Sequence, residues 1–146
     1  MRILFLSTNY PPDIGPGALR SKSIIDALIE EGPSNLKIDV ITTMPNRYHS
    51  FRVFAKKDEI YRNVSIKRII LPIHKNGIID QIRSFISFSL KVKKLVSKKK
   101  YNIVVSTSSR LMTASLSAWI AKNTGSKLYL DIRDLFTDTM DDILFR

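Results

Sequence analysis

The fold is decided by Ile3-Leu4-Phe5-Leu6-Ser7-Thr8-Asn9-Tyr10-Pro11-Pro12-Asp13-Ile14-Gly15-Pro16-Gly17-Ala18. Its first four residues are uninterrupted apolar and β-prone, the pattern of a strand covered on both faces. A turn rich in proline and glycine follows. From Leu19 to Glu31, Ile24, Ile25, Leu28 and Ile29 recur at helical spacing, and Gly32-Pro33 ends the run. A buried strand passing through a glycine turn into a helix is the opening unit of a parallel α/β sheet.

Further β-prone runs follow at 38–43, 65–71, 103–107 and 127–132. Helical periodicity returns from Gly77 to about Lys100, and from Leu111 to Asn123 before Gly125. Strands that alternate with helices predict a Rossmann-like parallel sheet flanked by helices. The polar, aromatic and basic stretch 45–63 reads as one long loop. With 146 residues and 44% hydrophobic content, residues 1–146 read as a single domain with a real core.

Composition excludes several chemistries. There are no cysteines, so disulfides, thiolate nucleophiles, Cys-ligated zinc and iron–sulfur clusters are out. The two histidines, His49 and His74, are too far apart to make a local metal motif. Ser84 to Leu90 is an apolar, uncharged stretch far short of the roughly 20 residues that span a bilayer. Ile3 to Leu6 is shorter than the roughly 7–15 apolar residues of a signal peptide, so a cytoplasmic location is expected. Lysine and arginine exceed acids by 11, which predicts an anionic partner or a lysine-rich solubilising surface.

Gly15 and Gly17 allow close backbone approach, and amides at a helix start favour an anion such as a diphosphate. A purely structural turn has the same composition. A Walker loop is excluded, because no Gly-Lys-Ser/Thr occurs. A dinucleotide fingerprint fails at its third glycine, which is Arg20, and at the second strand's end, where Thr42 and Thr43 replace the acid. Asp13, Gly15 and Gly17 match a methyltransferase-type Asp-x-Gly-x-Gly, but 9–12 separate it from the strand that should deliver it.

A second cluster lies at Asp131-Ile132-Arg133-Asp134-Leu135-Phe136. In open α/β sheets ligands bind beyond the carboxyl ends of strands, which is where this cluster and the glycine turn belong. Asp131 and Asp134 suit a base or an acceptor of sugar-hydroxyl hydrogen bonds, and Arg133 suits a phosphate. An Asp–Arg pair that only fixes a loop is the alternative. Asp138, Asp141 and Asp142 read as helix-start acids rather than a metal box. Ser106 to Ser109 offer hydroxyls that cap the next helix, and Ser108 is a candidate ligand contact.

The stretch from Ile78 to Lys100 carries Arg83 and lysines 91, 93, 94, 98, 99 and 100 against Asp80. Basic amphipathic stretches lie on anionic membranes. Phe85 and Phe88, with Ile86, are the expected inserting side chains, and Lys93, Lys94, Lys98 and Lys99 the expected headgroup contacts. Part of this surface must instead pack on the sheet. No nucleic-acid motif occurs, so nucleic acid is not an expected partner.

The opening, with its Pro-Pro-x-x-Gly-x-Gly turn, resembles that of bacterial retaining glycosyltransferases of the GT-B fold. It is most similar to the family-four enzymes that build capsule, O-antigen and exopolysaccharide. The segment from Asp131 to Phe136 resembles that subgroup's Asp-x-Arg-Asp-Leu-Trp motif, with Phe136 in place of Trp, and Met44-Pro45-Asn46 fits its loop after the second strand. Pro16 between the glycines is the other departure.

The resemblance implies most of the N-terminal, acceptor-binding domain of a two-domain enzyme, without the donor-binding half and therefore inactive alone. It implies Gly15, Pro16, Gly17 and Ala18 as the loop facing the donor diphosphate. It implies Asp134 as the acceptor-side catalytic candidate, and Asp131, Arg133 and Ser108 as acceptor contacts. Nucleotide sugar enters as substrate, and no cofactor or metal is called for. The expected acceptor is a lipid-linked glycan at the anionic inner-membrane face. Alternatives are an S-adenosylmethionine- or nucleotide-binding α/β enzyme and a non-catalytic membrane-binding module. Oligomeric state is not readable from the sequence.

Overall fold

The structure, a computed structural model, describes residues 1–45, 54–71, 78–108 and 111–132, with backbone alone for Ile78, Ser108 and Leu111. In chain order the elements are β1 (Arg2–Leu6), α1 (Pro16–Glu31), β2 (Lys37–Thr43), β3 (Asp58–Tyr61) and β4 (Val64–Ile69). They continue with α2 (Ile78–Val96), β5 (Ile103–Ser108), α3 (Leu111–Thr124) and β6 (Lys127–Ile132). The strands form one sheet in the order β3-β4-β2-β1-β5-β6. Every neighbouring pair is parallel except β3 and β4.

The chain starts at the centre of the sheet with β1 and builds outward through β2 and β4. It then returns to the other side of β1 for β5 and β6. The order reverses between β1 and β5, and this is where open α/β sheets form a crevice at their carboxyl ends. The parallel α/β, Rossmann-like architecture is the one expected from the alternating strand and helix patterns.

β1 alternates between two cores. Ile3 and Phe5 pack with Ile25 of α1 and with Val40 and Ile66. Leu4 and Leu6 pack with Phe88 and Val92 of α2 and Leu116 and Ile120 of α3. Each large side chain fully buried in this way contributes about 2 kcal/mol, so the two layers clamp β1 from both faces. That is why its sequence is apolar without alternation.

Two details differ from the sequence expectation. α1 starts at Pro16, a turn before Leu19, because proline at the first helical position brings the required φ and lacks only an N–H that would have no helical partner. The stretch 45–63 is not one loop, since β3 lies within it as an antiparallel edge strand. β3 has no apolar pattern. Its pairing is helped by opposite charges across the ladder, Lys67 to Asp58 at 2.6 Å and Arg68 to Glu59 at 2.9 Å. Arg62, at φ 52, makes the turn into β4.

Candidate functional site at the carboxyl edge of the sheet

At the reversal point the ends of β1, α1 and β5 are joined by hydroxyls. Thr107 donates to Ser7 Oγ at 3.0 Å, and Ser7 Oγ lies 3.0 Å from Ser21 Oγ. Ser21 donates on to Gly17 O at 2.8 Å, and Ser7 donates to Asn9 O at 2.8 Å. Thr43, at the end of β2, donates to Thr8 O at 2.8 Å. The start of α1 is thus tied to the sheet by small polar groups. Gly17, Ala18 and Ser21 are buried there, which lets the helix lie close to the strands.

Gly15 caps α1 at φ 137 and ψ 165, a region essentially open only to glycine. The turn 15–18 offers an anion fewer donors than its sequence promised. Pro16 has no N–H, and the N–H of Ala18 is turned back to Gly15 O at 3.1 Å. The donors such a turn can offer narrow to the two glycines.

Arg20, where a dinucleotide fingerprint has its third glycine, reaches from the first turns of α1 to the end of β6. Its Nε and a terminal nitrogen each donate to the Asp131 carboxylate at 2.6 Å. Asp131 is buried, while Arg20 is about half exposed. The hydrogen bonds and charge of Asp131 push the guanidinium pKa further above its ordinary value, so Arg20 is a permanent cation at the mouth of the crevice. Asp131 thus positions Arg20. An Asp–Arg pair does form, with the arginine at 20. Asp131 stands beside Thr107 in register, and Ser108 beside Ile132, so the glycine turn, the end of β5 and Asp131 occupy one edge. Arg133 and Asp134 lie outside the described residues, as do Phe136, His49 and His74.

Phe88 does not belong to a membrane-facing surface. It is 2% exposed, because its position on α2 faces the sheet with Val92 and Val96. Phe85 packs against the same core. Both phenylalanines line a small cavity of about 70 Å³, with Thr8 and Ser84 on its wall and Thr113 of α3 opposite. Lys99 also departs from the expected membrane set, because its ammonium is 2.9 Å from Asp39 Oδ2. Lys93 sits 3.8 Å above the Trp119 ring, and Lys94 and Lys98 are exposed.

Three polar residues escaped the sequence reading. Arg20 was noted only for not being glycine. Asp39 lies in the middle of Ile38-Asp39-Val40-Ile41, and a carboxylate inside a strand apolar on both faces is itself the signal of a paired charge. Arg68 is buried at the end of β4 and donates to Pro11 O at 2.7 Å and Lys56 O at 2.9 Å, holding the turn after β1 against the β3–β4 hairpin. Among the described residues no group of His, Asp and Glu is arranged to hold a metal ion.

No protein-family model and no curated protein matches the chain. Among solved structures it is similar to the C-terminal domain of a hydrogenase from Pyrococcus furiosus, with TM-score 0.60 and 17% identity over 88% of this chain and 89% of that one. A second structure of that domain gives TM-score 0.58 and 16% identity over 90% of each chain. At such identity the likeness concerns the Rossmann-like fold alone.

Proposed function

We propose that this chain is the acceptor-side, N-terminal half of a retaining GT-B glycosyltransferase that moves a sugar from a nucleotide-sugar donor to a lipid-linked glycan in surface-polysaccharide synthesis. One observation carries the reading. Arg20, in the first turns of α1 just after the glycine turn, and Asp131 at the end of β6, 111 residues apart, form an ion pair at the crevice edge. The glycine turn and the end of β6 are also the segments whose sequences resemble the family's motifs.

In this reading the Gly15 and Gly17 backbone approaches the donor diphosphate, and Arg20, its charge balanced by Asp131, is held nearby. Retaining transfer on one face of the sugar requires stabilising the leaving phosphate while holding the acceptor hydroxyl close. Asp131 keeps Arg20 in place, and Asp134 is the acceptor-side group. A second, donor-binding domain completes the site, so the 146-residue chain alone is expected to give no turnover with any nucleotide sugar.

The test uses the enzyme with its donor-binding domain. Gly15→Val places a β-branched side chain where φ is 137 and moves the turn off the diphosphate. An angstrom-scale misplacement costs about a hundredfold in kcat. Wild-type kinetics in a folded variant would reduce the loop to a structural turn. The other reading, an S-adenosylmethionine- or nucleotide-binding enzyme, draws on Asp13, Gly15 and Gly17. Calorimetric binding of S-adenosylmethionine to this chain would favour it.

A further inference from the structure

On the face that α1 covers, the β3–β4 hairpin extends the sheet past the helix, and a groove of about 310 Å³ lies between them. Ile25 and Ile29 of α1 and Val64 and Ile66 of β4 form its apolar floor. Glu59 and Tyr61 share that face, because they stand opposite Ile66 and Val64 in the antiparallel ladder. Tyr10, from the turn after β1, stands in the wall with Lys22, Asp26 and Arg68. Gly15, Gly17, Arg20 and Asp131 do not line it, so the groove is separate from the crevice edge.

The Tyr10 hydroxyl is the anomaly in this wall. The residue is 8% exposed, and a buried tyrosine hydroxyl ordinarily has a hydrogen-bond partner. This one has none in the protein among the described residues. Burial, followed by the charge of Asp26, pushes its pKa up to about 12, so at neutral pH it keeps its proton. Two carboxylate oxygens are open as well. Lys22 bonds Asp26 through Oδ2, and Arg68 bonds Glu59 through Oε2 at 2.9 Å. Asp26 Oδ1 and Glu59 Oε1 are left without a protein donor among the described residues.

The charges around the groove cancel in these two pairs. A phosphate would meet Asp26 and Glu59, and an ammonium would meet Lys22 and Arg68, so either ligand faces like charge. We infer that the groove binds a neutral sugar ring. Its hydroxyls donate to Asp26 Oδ1 and Glu59 Oε1 and accept from the Tyr10 hydroxyl, while its C–H face lies on the aliphatic floor. Two free acceptors and one phenol call for several hydroxyl donors on one compact body, and a hexose has them. The volume is at the small end of ligand pockets, roughly 300 Å³, which suits a single ring. Tyr61, half exposed at the mouth, adds an aromatic wall, with the Arg62 guanidinium 5.4 Å from its ring centre. The inference needs no transfer chemistry and is independent of the sugar-transfer reading.

Amide chemical-shift mapping of the isotope-labelled 146-residue chain tests it. The probes are the methyl glycosides of glucose, galactose, mannose and N-acetylglucosamine, with adenosine and inorganic phosphate as contrasts. At least one glycoside should bind with Kd about 1 mM and move the amides of Ile25, Asp26, Tyr61 and Ile66. Tyr10→Phe deletes only the unpartnered hydroxyl. It should weaken that binding about fivefold and leave the urea midpoint unchanged. Asp26→Ala removes a charged acceptor and should weaken binding at least about tenfold. The fold is retained, because the Lys22–Asp26 pair it breaks is a surface pair. No shift with any glycoside overturns the inference, as does glycoside binding unchanged by Tyr10→Phe or by Asp26→Ala. Adenosine or phosphate binding there more tightly than every glycoside also overturns it. Glycoside shifts confined to Gly17, Arg20 and Asp131 would overturn it too, while leaving the sugar-transfer reading intact.

Discussion

The two edges of the sheet use polar groups in opposite ways. At the amino edge, Asp39 is buried and gathers charge. Arg2 Nε donates to it at 3.1 Å, Lys99 at 2.9 Å and Tyr101 OH at 2.8 Å. At the carboxyl edge the polar groups are mostly hydroxyls that bond one another and the backbone. Thr42 Oγ1 and Ser106 Oγ are buried there with no protein partner among the described residues. The exceptions are the Arg20–Asp131 pair at the end of β6 and the Arg68–Glu59 pair at the end of β4. The amino edge therefore spends its charges on holding strands together. The carboxyl edge keeps polar groups that stability alone does not explain.

The largest effect expected from breaking this contrast is at Asp39. Asp39→Ala strands two cations and a phenol at a half-buried site and should cost about 3 kcal/mol, read from urea unfolding. A cost under about 1 kcal/mol would make the amino edge as dispensable as an ordinary surface pair. The pH dependence has a definite sign. Burial pushes the Asp39 carboxyl up, but hydrogen bonds from Lys99 and Tyr101 and the charges of Lys99 and Arg2 outweigh it and hold it below its ordinary value. Its contribution is therefore complete above the unfolded-state value, about pH 4, and is lost as pH falls through the lower folded value. The stability gap between wild type and Asp39→Asn should close as the medium is acidified through that range.

A middle-sized effect is expected where the carboxyl edge does use charge. A double-mutant cycle of Arg20→Met and Asp131→Asn should give a coupling of about 1 kcal/mol, limited by the exposure of Arg20. Coupling indistinguishable from zero would detach the start of α1 from the end of β6.

The smallest effect sharpens the comparison most. Thr42→Val removes a hydroxyl that has no protein partner among the described residues and keeps the shape. Its stability should stay within about 0.5 kcal/mol of wild type or rise. A loss above about 1 kcal/mol would mean that this hydroxyl is bonded, and the two edges would then be alike.

Legibility followed the type of information each element carries. β1 and the apolar stretches of β2 and β5 were readable because strands covered on both faces are built largely of apolar residues. β3 was not, because an edge strand exposed on one side is held by cross-strand charge pairs rather than by an apolar pattern. In α2 the sequence shows apolar residues on more than one face. Periodicity alone does not say whether Phe85 and Phe88 or Ile82 and Ile86 meet the sheet. The aromatics took the core side, leaving the isoleucines outside.

Residue order alone determined the strand–turn–helix opening and the absence of cysteine chemistry, since these depend on local periodicity and composition. It also placed the glycine turn and Asp131 at the same end of the sheet, since parallel strands all deliver their carboxyl ends to one edge. Only the tertiary structure decided that Arg20 claims Asp131, that Lys99 turns to Asp39, and which side of α2 faces outward. Those outcomes depend on strand order and helix rotation, which arise from contacts between residues 60 to 111 positions apart and leave no local pattern in the chain.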